Sequence, residues 1–176
     1  MEDLRSSIED QLLVMDAQDG DAEAMGKLVC RWQKRLWRHA ARLTSDPQAA
    51  WDITQQTWLA VIKGLRKLHD PANFRAWAYR ITTNKAIDWI KRNEAEKNAD
   101  IANLPEIEQP APSDTGLLEL LGKLDFRKRA VLCLHYFEQL TLAEIGEVMR
   151  VPKGTVKSRL HSARGELKSL YEKQLQ

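Results

Sequence analysis

The sequence predicts an all-α protein: two small helical domains joined by an acidic, Pro-containing linker, the second carrying a helix-turn-helix. Three observations predict it. Good helix formers dominate, Gly and Pro cluster outside the periodic stretches, and no run sustains period-two alternation. Apolar residues recur at three- and four-residue steps in several long segments. Residues 94–114 then lose all periodicity, turn acidic and hold Pro105, Pro110 and Pro112, which reads as an extended connection. The expected layout is a domain over 1–93, a linker over 94–114 and a second domain over 115–176.

Residues 1–20 carry a short amphipathic stretch with Ile8, Leu12, Leu13 and Met15. Asp21 sits where an N-cap would, before a helix over Ala22–Thr44. In that helix Met25, Leu28, Val29, Trp32, Leu36, Ala40 and Leu43 make one apolar face. Asp46-Pro47 restarts the chain, Asp as N-cap and Pro at the first helical position. That helix runs to about Leu65, with Ile53, Trp58, Val61 and Ile62 as its apolar residues. Arg66–Asn73 reads as a loop broken by Pro71. A third helix follows over Phe74–Arg92, its apolar set being Phe74, Trp77, Ala78, Ile81, Ile87 and Ile90.

The net charge of +2 conceals a segregated distribution. Residues 1–24 carry −7, residues 25–93 carry +10, residues 94–114 carry −5 and residues 115–176 carry +4. Two basic blocks of this kind are the electrostatic footprint of a polyanion partner. Cys30 and Cys133 are far apart, lack metal-ligand spacing and lie in apolar helical patterns, so both are expected to be buried thiols. The N-terminus lacks a signal core, and no apolar run approaches the ~20 residues of a membrane span. A soluble cytoplasmic protein without membrane insertion is the expectation.

The second block opens with helices near Thr115–Leu124 and Asp125–Glu138. Thr141-Leu-Ala-Glu144 then forms a capping box, which specifies a helix start. Ile145, Val148 and Met149 supply its buried side, Val151 plugs the following turn, and Pro152 sets the next helix start. On that helix Val156, Leu160, Ala163 and Leu167 fall on one narrow stripe. The opposite face carries Lys157, Ser158, His161, Ser162 and Gly165, small or basic and without an acid at its centre. A helix entering a DNA major groove needs such a face. Gly154 and Thr155 at its start offer donors suited to phosphate.

The run Gly154-Thr-Val-Lys-Ser-Arg-Leu-His-Ser-Ala-Arg164, after Leu142-Ala-Glu-Ile-Gly146, closely resembles the C-terminal domain of bacterial sigma factors of the extracytoplasmic-function (ECF) type. Independently, Arg42-Leu-Thr, Asp52-Ile-Thr-Gln-Gln-Thr-Trp58 and Phe74–Arg92 are similar to that family's N-terminal conserved domain. The resemblance implies a transcription initiation subunit that binds core RNA polymerase, directs it to promoters and helps melt the −10 region. It implies polymerase binding by Asp52, Gln55, Gln56 and Trp58, although Trp51 and Gln56 stand where acidic residues are common in the family. It implies −10 contacts by His69, Asn73, Arg75, Tyr79 and Arg80, with promoter DNA as duplex and as melted single strand. It implies −35 contacts by His135, Gly154, Thr155, Lys157, Ser158, His161 and Ser162, with a His at 135 where the family often has a basic contact. An inhibitory anti-sigma partner is also implied.

Opening DNA requires capture of unstacked bases beside a basic backbone track. The third helix interleaves Phe74, Trp77, Tyr79 and Trp89 with Arg75, Arg80, Lys85, Lys91 and Arg92. Phe74 and Trp77 are expected to pack inward, Tyr79 and Arg80 to point outward. A conventional helix-turn-helix regulator is the alternative, but it leaves the basic aromatic helix without a purpose. No carboxylate cluster, Walker loop, nucleophile set or metal spacing suggests an enzyme or a cofactor.

Overall fold

The computed structural model describes residues 2–99 and 115–175, with side chains placed for 5–95 and 116–175. Eight α-helices occur among the described residues: α1 Glu2–Gln18, α2 Ala22–Thr44, α3 Pro47–Gly64, α4 Phe74–Ala99, α5 Thr115–Gly122, α6 Phe126–Leu132, α7 Leu142–Met149 and α8 Lys153–Gln174. Two short 3₁₀ turns, Leu65–Lys67 and Pro71–Asn73, lie inside the segment read as a loop. Helix α4 continues to Ala99, six residues into the stretch read as linker; residues 100–114 lie outside the described residues. No described helix is long and apolar enough to cross a membrane.

The helix starts follow from local chemistry. Asp21 accepts from the backbone N–H groups of Glu23 and Ala24, and Asp46 from those of Gln48 and Ala49 with Pro47 behind it. Thr141 and Glu144 close the reciprocal capping box. Acidic α1 docks on basic α2 through Arg31, which pairs with Glu9 at 2.9 Å and Asp10 at 2.6 Å. Glu9 and Asp10 of the acidic arm therefore meet the molecule's own basic block, while Asp16, Asp19, Asp21 and Glu23 stay exposed.

Trp32 is 1% exposed and meets Phe74 and Tyr79 edge-on, at 5.4 and 6.0 Å between centroids. The buried side of α4 is Phe74, Ala78, Tyr79, Thr82, Thr83 and Ala86. Trp77, Ile81, Ile87 and Ile90, expected at the core, are only half buried. Small and threonine side chains let α4 approach α2 and α3 closely. Their hydroxyls are satisfied within the core: Thr82 donates to the Ala78 carbonyl at 3.0 Å, and Thr83 Oγ1 lies 3.0 Å from His39 Nε2. Two further expectations need correction. Cys30 lies on the exposed side of α2, while Cys133 is buried and its thiol is pushed up to about 12 by desolvation. Ile62 is 56% exposed, on the outer side of α3.

In the C-terminal half, α6 passes into a wide π-helical turn, Cys133–Phe137, closed by Glu138 N–H on the Cys133 carbonyl at 3.2 Å. Gly146 allows the tight junction of α7 and α8, because a Cβ there would lie 2.9 Å from the Val151 carbonyl oxygen. Val156, Leu160 and Ala163 are buried as the stripe required, with Met149 and Leu167 partly buried. The two halves pack together. Arg129 of α6 donates to the Leu43 carbonyl at 2.6 Å and to the Gly122 and Leu124 carbonyls.

Candidate nucleic-acid interface

Helix α8 turns Lys157, Ser158, His161 and Ser162 to solvent, opposite its buried stripe. Gly154 is exposed and Thr155 half buried at its start. Ser158 Oγ donates to the Thr155 carbonyl at 3.0 Å, which holds the hydroxyl close to the helix surface. A Cβ at Gly154 or Gly165 would meet nothing within 4 Å, so this chain's own packing requires neither glycine. Glycine within a helix costs up to ~1 kcal/mol relative to Ala, and a groove partner is a physical reason to keep the surface low. His135 is set back from this face. Its Nδ1 lies 3.4 Å from the Leu140 carbonyl and its ring meets Tyr136 edge-on.

The second polar surface surrounds the 65–73 segment. Asp70 caps the turn through Ala72 N–H at 2.9 Å and accepts from Asn73 Nδ2 at 3.2 Å, leaving His69 and Asn73 exposed. Gln18 Nε2 donates to the Leu65 and Leu68 carbonyls at 2.8 and 2.7 Å, so α1 holds the base of this segment. A groove of about 470 Å³ runs between His69, Asn73, Trp77 and Arg80, with Glu147 of α7 on its far wall.

Two residues expected on this surface are differently placed. Tyr79, expected outward, is 2% exposed, and its hydroxyl donates to the Glu138 carboxylate. Burial, then the Glu138 charge, raises its phenol far above the ordinary value. Arg75 is half buried and donates to the Glu138 backbone carbonyl. The physical reason is packing between the halves: α7 and the turn ahead of it lie against α4. Glu138 also accepts from Arg42 Nη1 at 3.0 Å, and Arg42 stacks over Phe137 at 4.0 Å. Desolvation raises the Glu138 carboxyl above the usual carboxylate range, against Tyr79's hydrogen bond and the pull of Arg42. His39, fully buried beside them, is pushed down to about 3 by desolvation and by Arg42's charge. Sequence reasoning missed Glu138 and His39, since nothing local marks either as an inter-domain group.

On the outer side of α3, Asp52, Gln55 and Gln56 are exposed beside Trp51, Leu59 and Ile62, the last two at 59% and 56%. Trp58, read as part of this surface, is only 8% exposed and belongs to the core. The missed signal is the spacing of 52, 55, 56, 59 and 62, which puts polar and apolar side chains on one stripe.

A helix-turn-helix with a bare, polar outer face, joined to a second basic domain, defines a DNA-binding protein. The chain matches the family models Sigma-70 region 2 over residues 28–96 and Sigma-70, region 4 over residues 120–169. It is 32% identical to the ECF RNA polymerase sigma factor SigL of Mycobacterium tuberculosis, over 85% of this chain and 90% of that protein. It is 28% identical to the ECF RNA polymerase sigma factor SigW of Bacillus subtilis, over 88% of this chain and 92% of that protein. Among solved structures, CnrH in complex with the cytosolic domain of CnrY superposes with a TM-score of 0.73 at 27% identity, over 93% of this chain and 97% of that one. The chain belongs to the ECF family of RNA polymerase sigma factors. It is a transcription initiation factor that directs RNA polymerase to promoters; a conventional regulator is not favoured.

Proposed function

We propose that the two halves read two promoter elements, with the layout 1–93, 94–114 and 115–176. Helix α8 lies in the major groove of the −35 element. Lys157, Ser158, His161 and Ser162 face base edges and phosphates, while Gly154 and Thr155 approach the backbone. His69, Asn73, Arg75, Tyr79 and Arg80 receive the −10 strand as it melts, Tyr79 and Arg75 only once Glu138 has moved away. Asp52, Gln55 and Gln56, with Trp51, Leu59 and Ile62, bind core polymerase; Trp58 acts from beneath by supporting α3. His135 acts by holding the Leu140 turn, next to any DNA contact it makes. The observation that carries this reading is the wholly exposed polar face of α8, backed by buried Val156, Leu160 and Ala163.

Catalysis stays with the polymerase, so the chain works as a positioning subunit in the cytoplasm. An anti-sigma protein is a further partner of this reading, supported by CnrH having been solved in complex with the cytosolic domain of CnrY, and the exposed Trp51, Leu59 and Ile62 are the apolar surface it would cover. Reconstituted transcription tests the proposal. The purified chain, sigma-free core polymerase and genomic fragments should give discrete starts sharing two upstream motifs. Specific duplex binding by the chain without any such starts would overturn the polymerase-directed reading.

A further inference from the structure

Glu138 is a carboxylate out of place. It belongs to the C-terminal half, yet it is 8% exposed and both of its side-chain hydrogen-bond donors come from the N-terminal half. Arg42 Nη1 lies 3.0 Å from Oε1, the Tyr79 hydroxyl donates to Oε2, and Arg75 Nη2 donates to the backbone carbonyl of Glu138. The neutral ring of His39 stands 3.9 Å away and contributes no charge. One guanidinium and a phenol hydroxyl converge on the carboxylate, with a second guanidinium on the same residue's backbone carbonyl, and together these are donors of the kind that bind a phosphodiester. The site opens into a cleft of about 620 Å³ between the halves, whose wall continues with exposed Arg35 and Arg38. A nucleic-acid backbone entering from that side finds a basic track leading to the pocket.

We propose that Arg42, Arg75 and Tyr79 form a phosphodiester subsite for the melted strand, and that Glu138 fills it as an internal stand-in while the two halves are packed together. Strand and carboxylate compete for the same donors. The packed form therefore withholds the subsite, and the chain takes up single-stranded DNA when the C-terminal half swings away. The inference rests on the −10 reading of Arg75 and Tyr79 and adds Arg42 and the competition. Desolvation of Glu138 helps: an ionised carboxylate whose burial costs more than its partners return is displaceable by a multiply contacted strand.

The test uses the full chain and a labelled single-stranded oligodeoxynucleotide, followed by fluorescence anisotropy at low salt. Glu138→Ala should bind about tenfold more tightly than the wild type, the size of one charge-assisted hydrogen bond. Glu138→Gln keeps the shape, guards against a folding defect in the first variant, and should fall between the two. Adding Arg42→Ala to Glu138→Ala should abolish the gain. No gain in either Glu138 variant, or a gain that survives loss of Arg42, overturns the proposal. Permanganate footprinting of holoenzyme on a promoter separates the two layers. If Arg75→Ala impairs opening while the Glu138 variants show no gain, only the competition fails. If Arg75→Ala opens normally, the −10 reading falls and the inference with it.

Discussion

Helices α4 and α8 are the two elements that meet DNA in the proposed reading, and they are prepared for it in opposite ways. The working face of α8 is bare: Lys157, Ser158, His161 and Ser162 are all exposed. The working end of α4 is covered, with Tyr79 buried, Arg75 engaged and Glu147 standing across the groove from Arg80. Duplex recognition needs only a rigid surface that fits a groove already present. Strand capture needs a pocket for something that exists only after melting. A pocket of buried donors left open would carry unsatisfied polar groups. Covering it with an internal carboxylate satisfies those donors until the strand arrives.

The contrast can be broken at several points. The largest effect is expected at Trp32, which supports Phe74 and Tyr79 together. Trp32→Ala should cost ~3–5 kcal/mol of stability in denaturant unfolding, by analogy with other buried large-to-small changes. A loss below ~1 kcal/mol would mean that α4 is held from elsewhere.

Next comes pH. His39 is neutral in the fold, its value held at about 3, but protonates when unfolded below its ordinary value of 6.5. Its contribution is present above 6.5 and is lost as pH falls toward 3, up to a total on the order of 5 kcal/mol. Glu138 works the other way, because its carboxyl is raised in the fold. Its contribution is present below the ordinary carboxylate value and lost as pH rises through the raised one. The His39 part makes stability fall from pH 7 to 5 with Glu138 opposing it, so His39→Gln should make that fall smaller or reverse it. An unchanged slope in that variant would remove His39 from the account.

The open face gives smaller effects confined to DNA. Lys157→Ala and Ser158→Ala should each weaken −35 duplex binding by ~1–3 kcal/mol, with polymerase affinity unchanged. Loss of polymerase affinity in step with DNA affinity would show that this face serves both partners. Smallest is Gly165→Ala, which should stabilise α8 by up to ~1 kcal/mol in thermal unfolding, since its Cβ enters open space. If the DNA backbone passes close by, that gain comes with weaker duplex binding.

The helix-turn-helix was readable almost residue by residue. Its cap is a local exchange between Thr141 and Glu144, and its stripe is a single periodicity on a helix with one buried side. Helix α4 was less readable because it touches α2, α3 and α7, so apolar residues occur on several sides. Periodicity then cannot choose between Trp77, which is half buried, and Tyr79, which is fully buried. Helical pattern placed Cys30 in the core, where α2 in fact exposes it, whereas Trp58 was put on the polymerase surface by family resemblance and is buried, as its apolar spacing alone suggested.

Composition, capping residues and helical spacing were enough for the all-helical class, the helix starts and the exposed polar face of α8, while membership of the sigma family was legible through the resemblance of two motifs. Each is a property of a single segment or of a motif whose residues are near neighbours in the chain. The burial of Tyr79, the engagement of Arg75 and the seat of Glu138 depend on contacts 59 and 63 residues apart in sequence. Such contacts follow from which faces two domains turn toward each other, and no local pattern records that choice.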